Sequence, residues 1–179
     1  MRILIILLVV LHSQSVYADD IENSLSVNLA NELLTTLPGT WDGQAIETPV
    51  GPVAYSINFH HCGEDVVAGV ANPGAALHYW RFWQSDGELR LTFLTTFRGN
   101  QEPTPLVANR AETRTIWFYA PELALLTVSI TLDDPQVDIR IFHHDKPHVY
   151  IRLIRTDKTM TESDLEAGLV KSCKKLTPP

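Results

Sequence analysis

Beyond its first eleven residues the sequence has no long apolar run. A membrane-spanning helix, which needs about 20 mostly apolar residues, is therefore not expected in the rest of the chain. Cysteine is scarce, with two in 179 residues, and no Cys-x-x-Cys occurs. Gly-x-Ser-x-Gly, His-Glu-x-x-His and glycine-rich phosphate loops are missing as well, so no catalytic residue announces itself. Positive charge is also short: 14 Lys and Arg face 21 Asp and Glu, a formal net charge of −7. That balance disfavours nucleic acid and anionic membrane as partners, because both would be repelled at long range. From Thr40 onward no stretch has helical periodicity until the C-terminal tail, no connection suggests a crossover helix, and no unit repeats at a fixed longer period. An α/β fold and a solenoid are thereby set aside.

Met1-Arg2 followed by the apolar run Ile3 to Leu11 has the form of a secretory signal peptide. Val16-Tyr17-Ala18 supplies small residues where a signal peptidase reads, so cleavage is expected after Ala18. No Cys follows the run, so a lipoprotein anchor is not expected. Residues 1–18 thus read as a signal peptide and 19–179 as a single exported domain, periplasmic or secreted. Asp19 and Asp20 can cap a helix in which Ile21, Leu25, Leu29 and Leu33 repeat every four residues. This helix, 19–37, has no basic residue on its polar face. It is therefore expected to pack across one end or side of the domain rather than lie on a membrane.

Leu37-Pro38-Gly39 ends the helical pattern, and from Thr40 the period becomes two. Trp41, Gly43 and Ala45 alternate with Asp42, Gln44 and Ile46; after the turn Thr48 to Pro52, Val53, Tyr55, Ile57 and Phe59 alternate with Ala54, Ser56, Asn58 and His60. Strands are expected at Val66 to Val70, and at Leu77 to Gln84 and Glu88 to Thr96 around the hairpin signal Ser85-Asp86-Gly87. Further strands are expected at Ala111 to Tyr119, Leu123 to Leu132, Val137 to His144 and His148 to Arg155. Gly99 to Arg110, with two prolines, reads as the longest loop, a candidate lid over an open mouth. The pattern predicts an all-β fold: an antiparallel up-and-down barrel of about eight or nine strands over 40–156, closed so that no edge is left exposed. A β-sandwich is the rival. Thr159 to Cys173 reads as a C-terminal helix with Leu165 and Leu169 in its apolar stripe. Cys62 and Cys173, an even count in an exported chain, are expected to form a disulfide.

Gly39-Thr40-Trp41 resembles the Gly-x-Trp that opens the first strand of lipocalins and related calycin barrels. The resemblance implies that Trp41 plugs one end of the barrel, that an Arg on a late strand, Arg152 or Arg155, crosses its indole, and that a helix follows the closing strands. A body cysteine tied to one near the C-terminus is also a lipocalin arrangement. The family's middle motif, a Thr-Asp before a Tyr, is absent, which points to an outlying calycin. Leu77-His78 before an aromatic run resembles nitrobindin-type calycins, which hold haem through a late His; no axial ligand is carried over from that likeness, and no cofactor is expected.

Ligand contact is expected from His78, Tyr79, Trp80, Arg81, Phe82 and Trp83. Alternation places Tyr79, Arg81 and Trp83 on one face and His78, Trp80 and Phe82 on the other, and one face must point inward. Rings with one polar anchor, His78 or Arg81, and a stacking surface, Trp80 or Trp83, suit a small, mainly apolar ligand. His60 and His61 on one strand, and His143, His144 and His148 around Asp145-Lys146-Pro147, could hold a metal only if the two groups met; turn residues of no special role explain them, and no metal is expected. The expected function is an exported carrier of a small apolar ligand. The alternatives are a structural or protein-interaction module with a filled barrel, and a barrel enzyme or haem- or metal-binding protein.

Overall fold

A computed structural model describes residues 27–74, 76–97, 100, 102–120, 125–157 and 173. Helix α1, residues 27–36, leads into ten antiparallel strands: β1 (Gly39–Glu47), β2 (Val53–Gly63), β3 (Val66–Ala71), β4 (His78–Ser85), β5 (Glu88–Thr95), β6 (Thr104–Glu112), β7 (Thr115–Tyr119), β8 (Leu126–Asp133), β9 (Gln136–His143) and β10 (Lys146–Thr156). Each strand pairs with its sequence neighbours, and β1 pairs with β10 from Thr40↔Thr156 to Glu47↔Tyr150. The sheet is a closed barrel with no free edge, which rules out the sandwich.

The strand number exceeds the expected eight or nine, and the difference lies between residues 99 and 119. Thr104 to Arg110, read as part of a loop, belongs to β6, and Ala111 to Tyr119, read as one strand, spans two. Pro105 is tolerated because it sits where β6 pairs with β5 alone; pairing with β7 begins at Val107. The turn between β6 and β7 holds Thr113 at φ 53°, with no Gly, Pro, Asn or Asp to mark it. The last hairpin also differs in detail. His144 and Asp145, both at positive φ, form its two-residue turn, and Lys146 and Pro147 are already in β10. Asp86-Gly87, both at positive φ, makes the expected tight turn between β4 and β5.

The strand order gives the barrel two unlike ends. At the closed end α1 packs its apolar stripe inward, with Leu29, Ala30, Leu33, Leu34 and Leu37 buried in one cluster with Trp41, Phe82, Phe118 and Leu153. Arg114, in the β6–β7 turn at that end, donates to Glu32 Oε1 of α1 at 2.7 Å. Small inward residues on β3 allow β2 and β4 to touch across it: Gly69 faces Phe59 on one side and Trp80 on the other, and a Cβ there would lie 2.7 Å from Phe59.

Cys62 and Cys173 are joined by a disulfide that closes a sequence separation of 111 residues. The expected signal peptide 1–18, the first residues of the 19–37 helix and, apart from Cys173, the C-terminal helix 159–173 lie outside the described residues. Among the described residues no helix is long and apolar enough to cross a membrane.

Candidate functional site

The alternation of β4 resolves as His78, Trp80 and Phe82 inward and Tyr79, Arg81 and Trp83 outward. Trp80 and Phe82 belong to the interior cluster, while Tyr79 packs with Leu94, Val70 and Leu77 in a separate cluster on the outer face. Arg81 lies against Trp83, 5.3 Å from its ring centre. Neither can therefore anchor or stack a ligand inside the barrel. Elementary cost accounts for the choice: a guanidinium facing an apolar interior without an anion is far more expensive than a neutral imidazole.

The plug is built at the other end of the molecule. Trp41 is fully buried, and its indole N–H donates to the Leu37 carbonyl at 2.7 Å. Arg155 lies over that ring at 4.5 Å and donates to the carbonyls of Thr36 and Pro38. Of the two arginine candidates, Arg155 crosses the indole. Arg152 points outward to Asp138 and Tyr150, which hold its guanidinium charged.

Above the plug, the interior is filled as far as Trp80 and then opens. Trp80, Phe93 and Phe82 form an aromatic floor, with Trp80 and Phe93 at 4.4 Å and Trp80 and Phe82 stacked at 6.4 Å. Over this floor lies a cavity of about 390 Å³ at the end of the barrel opposite α1. Its walls are Ala45, Val53, Phe93, Leu126, Ile141 and Val149, and the loops at its mouth add Val50, Pro73 and Phe97. Val50 and Phe97 are 79% and 48% exposed, large apolar side chains held at the rim rather than buried.

Beside Tyr55, which is buried deeper, the wall carries the imidazole of His78. Its Nδ1 lies 3.1 Å from Tyr55 Oη, which in turn receives the Trp80 indole N–H at 2.9 Å. Burial lowers the His78 pKa to about 4, so the ring is neutral over the physiological range. Burial also raises the Tyr55 pKa well above its ordinary value, against the opposing Trp80 hydrogen bond, and the phenol keeps its proton.

Of the six expected contact residues, His78 alone borders the cavity, with Trp80 and Phe82 beneath it. The sequence reading missed Tyr55, Phe93 and the mouth loops at Val50 and Pro73, whereas Asn100 and Thr104, within the stretch expected as a lid, do border the cavity. Tyr55 was legible as an inward residue, but its partners stand 23 and 25 positions away and are reached only through the β2–β3–β4 register. The two histidine groups do not meet. His60 and His61 lie on the closed-end half of β2, while His143 and His148 border the open mouth. Among the described residues no group of three or more His, Cys, Asp or Glu side chains is placed to hold a metal. No protein-family profile matches the chain, and no curated protein is similar to it.

Proposed function

We propose that this chain is an exported carrier that takes a small, mainly apolar ligand into the open end of its barrel, and that it is an outlying calycin. The observation that supports this most is the unequal filling of the two ends. One end is sealed by α1, Trp41 and Arg155, whereas the other leaves about 390 Å³ of apolar-walled space. A cavity of that size is in the usual range for one small molecule, and its wall surface is mainly apolar, with the polar groups of Tyr55 and His78 set among apolar side chains. Export is supported by the Cys62–Cys173 disulfide, which persists in oxidising compartments. The calycin kinship is supported by the closed up-and-down barrel and by the arginine laid over the opening Trp.

The test is titration with an environment-sensitive apolar dye, on wild type and on Ile141→Trp, which fills the cavity from one wall. The expected result is saturable binding by the wild type and loss of at least about tenfold in affinity in the variant, with the barrel's β signal retained. Absence of dye binding by the folded wild type would leave the interaction-module reading in its place.

A further inference from the structure

The hydrogens in the Trp80–Tyr55–His78 chain can be assigned from chemistry alone. An indole nitrogen only donates, so at 2.9 Å Tyr55 Oη must be the acceptor from Trp80. The phenol then has one hydrogen left to place. Tyr55 is 1% exposed, and the acceptor within reach is His78 Nδ1 at 3.1 Å. In the opposite arrangement Nδ1–H would donate to Tyr55, and the phenol would hold two incoming hydrogens while its own found no acceptor. Leaving a buried hydroxyl hydrogen unmet costs about 1–3 kcal/mol, enough to decide the direction. With Nδ1 accepting, the single hydrogen of a neutral imidazole sits on Nε2. Tyr55 and Phe93 pack against the His78 ring and offer no acceptor to that atom, and His78 borders the cavity.

Among the described residues, no Asp, Glu, Lys or Arg lines the cavity. A charged ligand head would therefore be stripped of water with no counter-charge to meet it. The histidines at the mouth, His143 and His148, are exposed and remote from the floor.

We infer that the site selects an apolar ligand whose inner end carries an uncharged hydrogen-bond acceptor, a ketone, ester or ether oxygen, which takes the Nε2 hydrogen of His78, and that it discriminates against a cationic head at that position. This rests on the carrier reading above and names the chemical class of its ligand.

Two measurements test it. The first is displacement of the bound apolar dye by an aliphatic methyl ketone, by the alkane of the same chain length and by the corresponding primary amine. In the wild type the ketone should displace about tenfold more effectively than the alkane, with the amine weakest. In His78→Phe the ketone should lose its advantage over the alkane, each potency being taken relative to that variant's own dye affinity. Dye binding with equal ketone and alkane potency in the wild type overturns the inference and leaves the carrier reading standing; no dye binding at all removes the carrier reading. The second is nitrogen NMR of the His78 ring in the ligand-free wild type, which needs neither a ligand nor a variant that folds. A protonated Nε2 and bare Nδ1 is expected, and a protonated Nδ1 overturns the assignment whatever the dye does.

Discussion

Trp41 and Arg155 complete the end of α1 as well as plugging the barrel. The last carbonyls of a helix have no partner within it. Here the Thr36, Leu37 and Pro38 carbonyls at that end receive hydrogens from Arg155 and the Trp41 indole, and the cation of Arg155 sits at the negative end of the helix dipole. The two contributions of Trp41 can be separated. Trp41→Ala should lower unfolding free energy by roughly 3–5 kcal/mol through the emptied volume. Trp41→Phe fills most of that volume but strands the Leu37 carbonyl, and should cost about 1–3 kcal/mol. Urea unfolding of the two variants checks the order; equal losses would mean that the indole hydrogen bond contributes nothing. A second residue-scale expectation concerns acid. The unfolded chain protonates His78 near pH 6.5, whereas the folded chain does so only near 4. Between those values the unfolded state binds more protons. Stability is therefore full above about pH 6.5, falls as pH drops towards 4, and loses roughly 3 kcal/mol from this residue by the bottom of that window. His78→Gln should flatten that part of the stability profile relative to wild type, and a wild-type profile parallel to the variant's would contradict a buried neutral imidazole.

At the scale of the element, the β6–β7 hairpin holds a β-branched residue in a conformation that L side chains avoid. Thr113 has φ 53° and an exposed side chain with no packing to lose. Thr113→Gly should therefore stabilise the protein by about 0.5–1 kcal/mol, read as a raised melting temperature. A lowered melting temperature would show that the threonine side chain contributes to the turn. The same residue shows why this part of the sheet was hard to read. Asp86-Gly87 and Asp145 carry turn chemistry in their side chains, and their hairpins were visible in the sequence. Thr113-Arg114 carries none, so two strands merged into one, while Pro105 disguised the start of β6 as a loop. Alternation alone placed Trp41, Tyr55, Ile57 and Phe59 on one face, because period two is local. The meeting of Tyr55 with His78 depends on Gly69 and Ala71 being small on the intervening strand, which is a long-range fact. Close approach can be tested at Gly43, where a Cβ would stand 1.9 Å from the Arg152 carbonyl oxygen across the β1–β10 seam. Gly43→Ala should destabilise by about 1–3 kcal/mol or more, whereas Gly63→Ala, whose added Cβ would have ordinary contact with Val66 at 3.8 Å, should be close to neutral. Thermal melts of the pair decide it, and a harmless Gly43→Ala would mean that the seam can spread.

For the whole molecule, the division of labour between the two ends makes stability and the proposed binding separable. Cys62 stands near the end of β2 on the closed side, past Phe59, which pairs with Gly39 at the start of β1. His78 and the mouth loops stand at the other end. The barrel closes through the β1–β10 ladder and does not need the disulfide to do so. Cross-linking across 111 residues acts mainly on the unfolded chain, and in the loop-entropy estimate it contributes about 4–5 kcal/mol. Reduction, or the double substitution Cys62→Ala with Cys173→Ala, should therefore shift the urea midpoint down by an amount of that order. It should leave the native β signal and the affinity for an apolar dye nearly unchanged under conditions where the protein remains folded. Ile141→Trp should do the reverse, removing the cavity with little effect on the midpoint. If opening the disulfide abolished dye binding in protein that is still folded, the cavity would depend on the closed end, and the separation of a sealed structural end from an open binding end would fail.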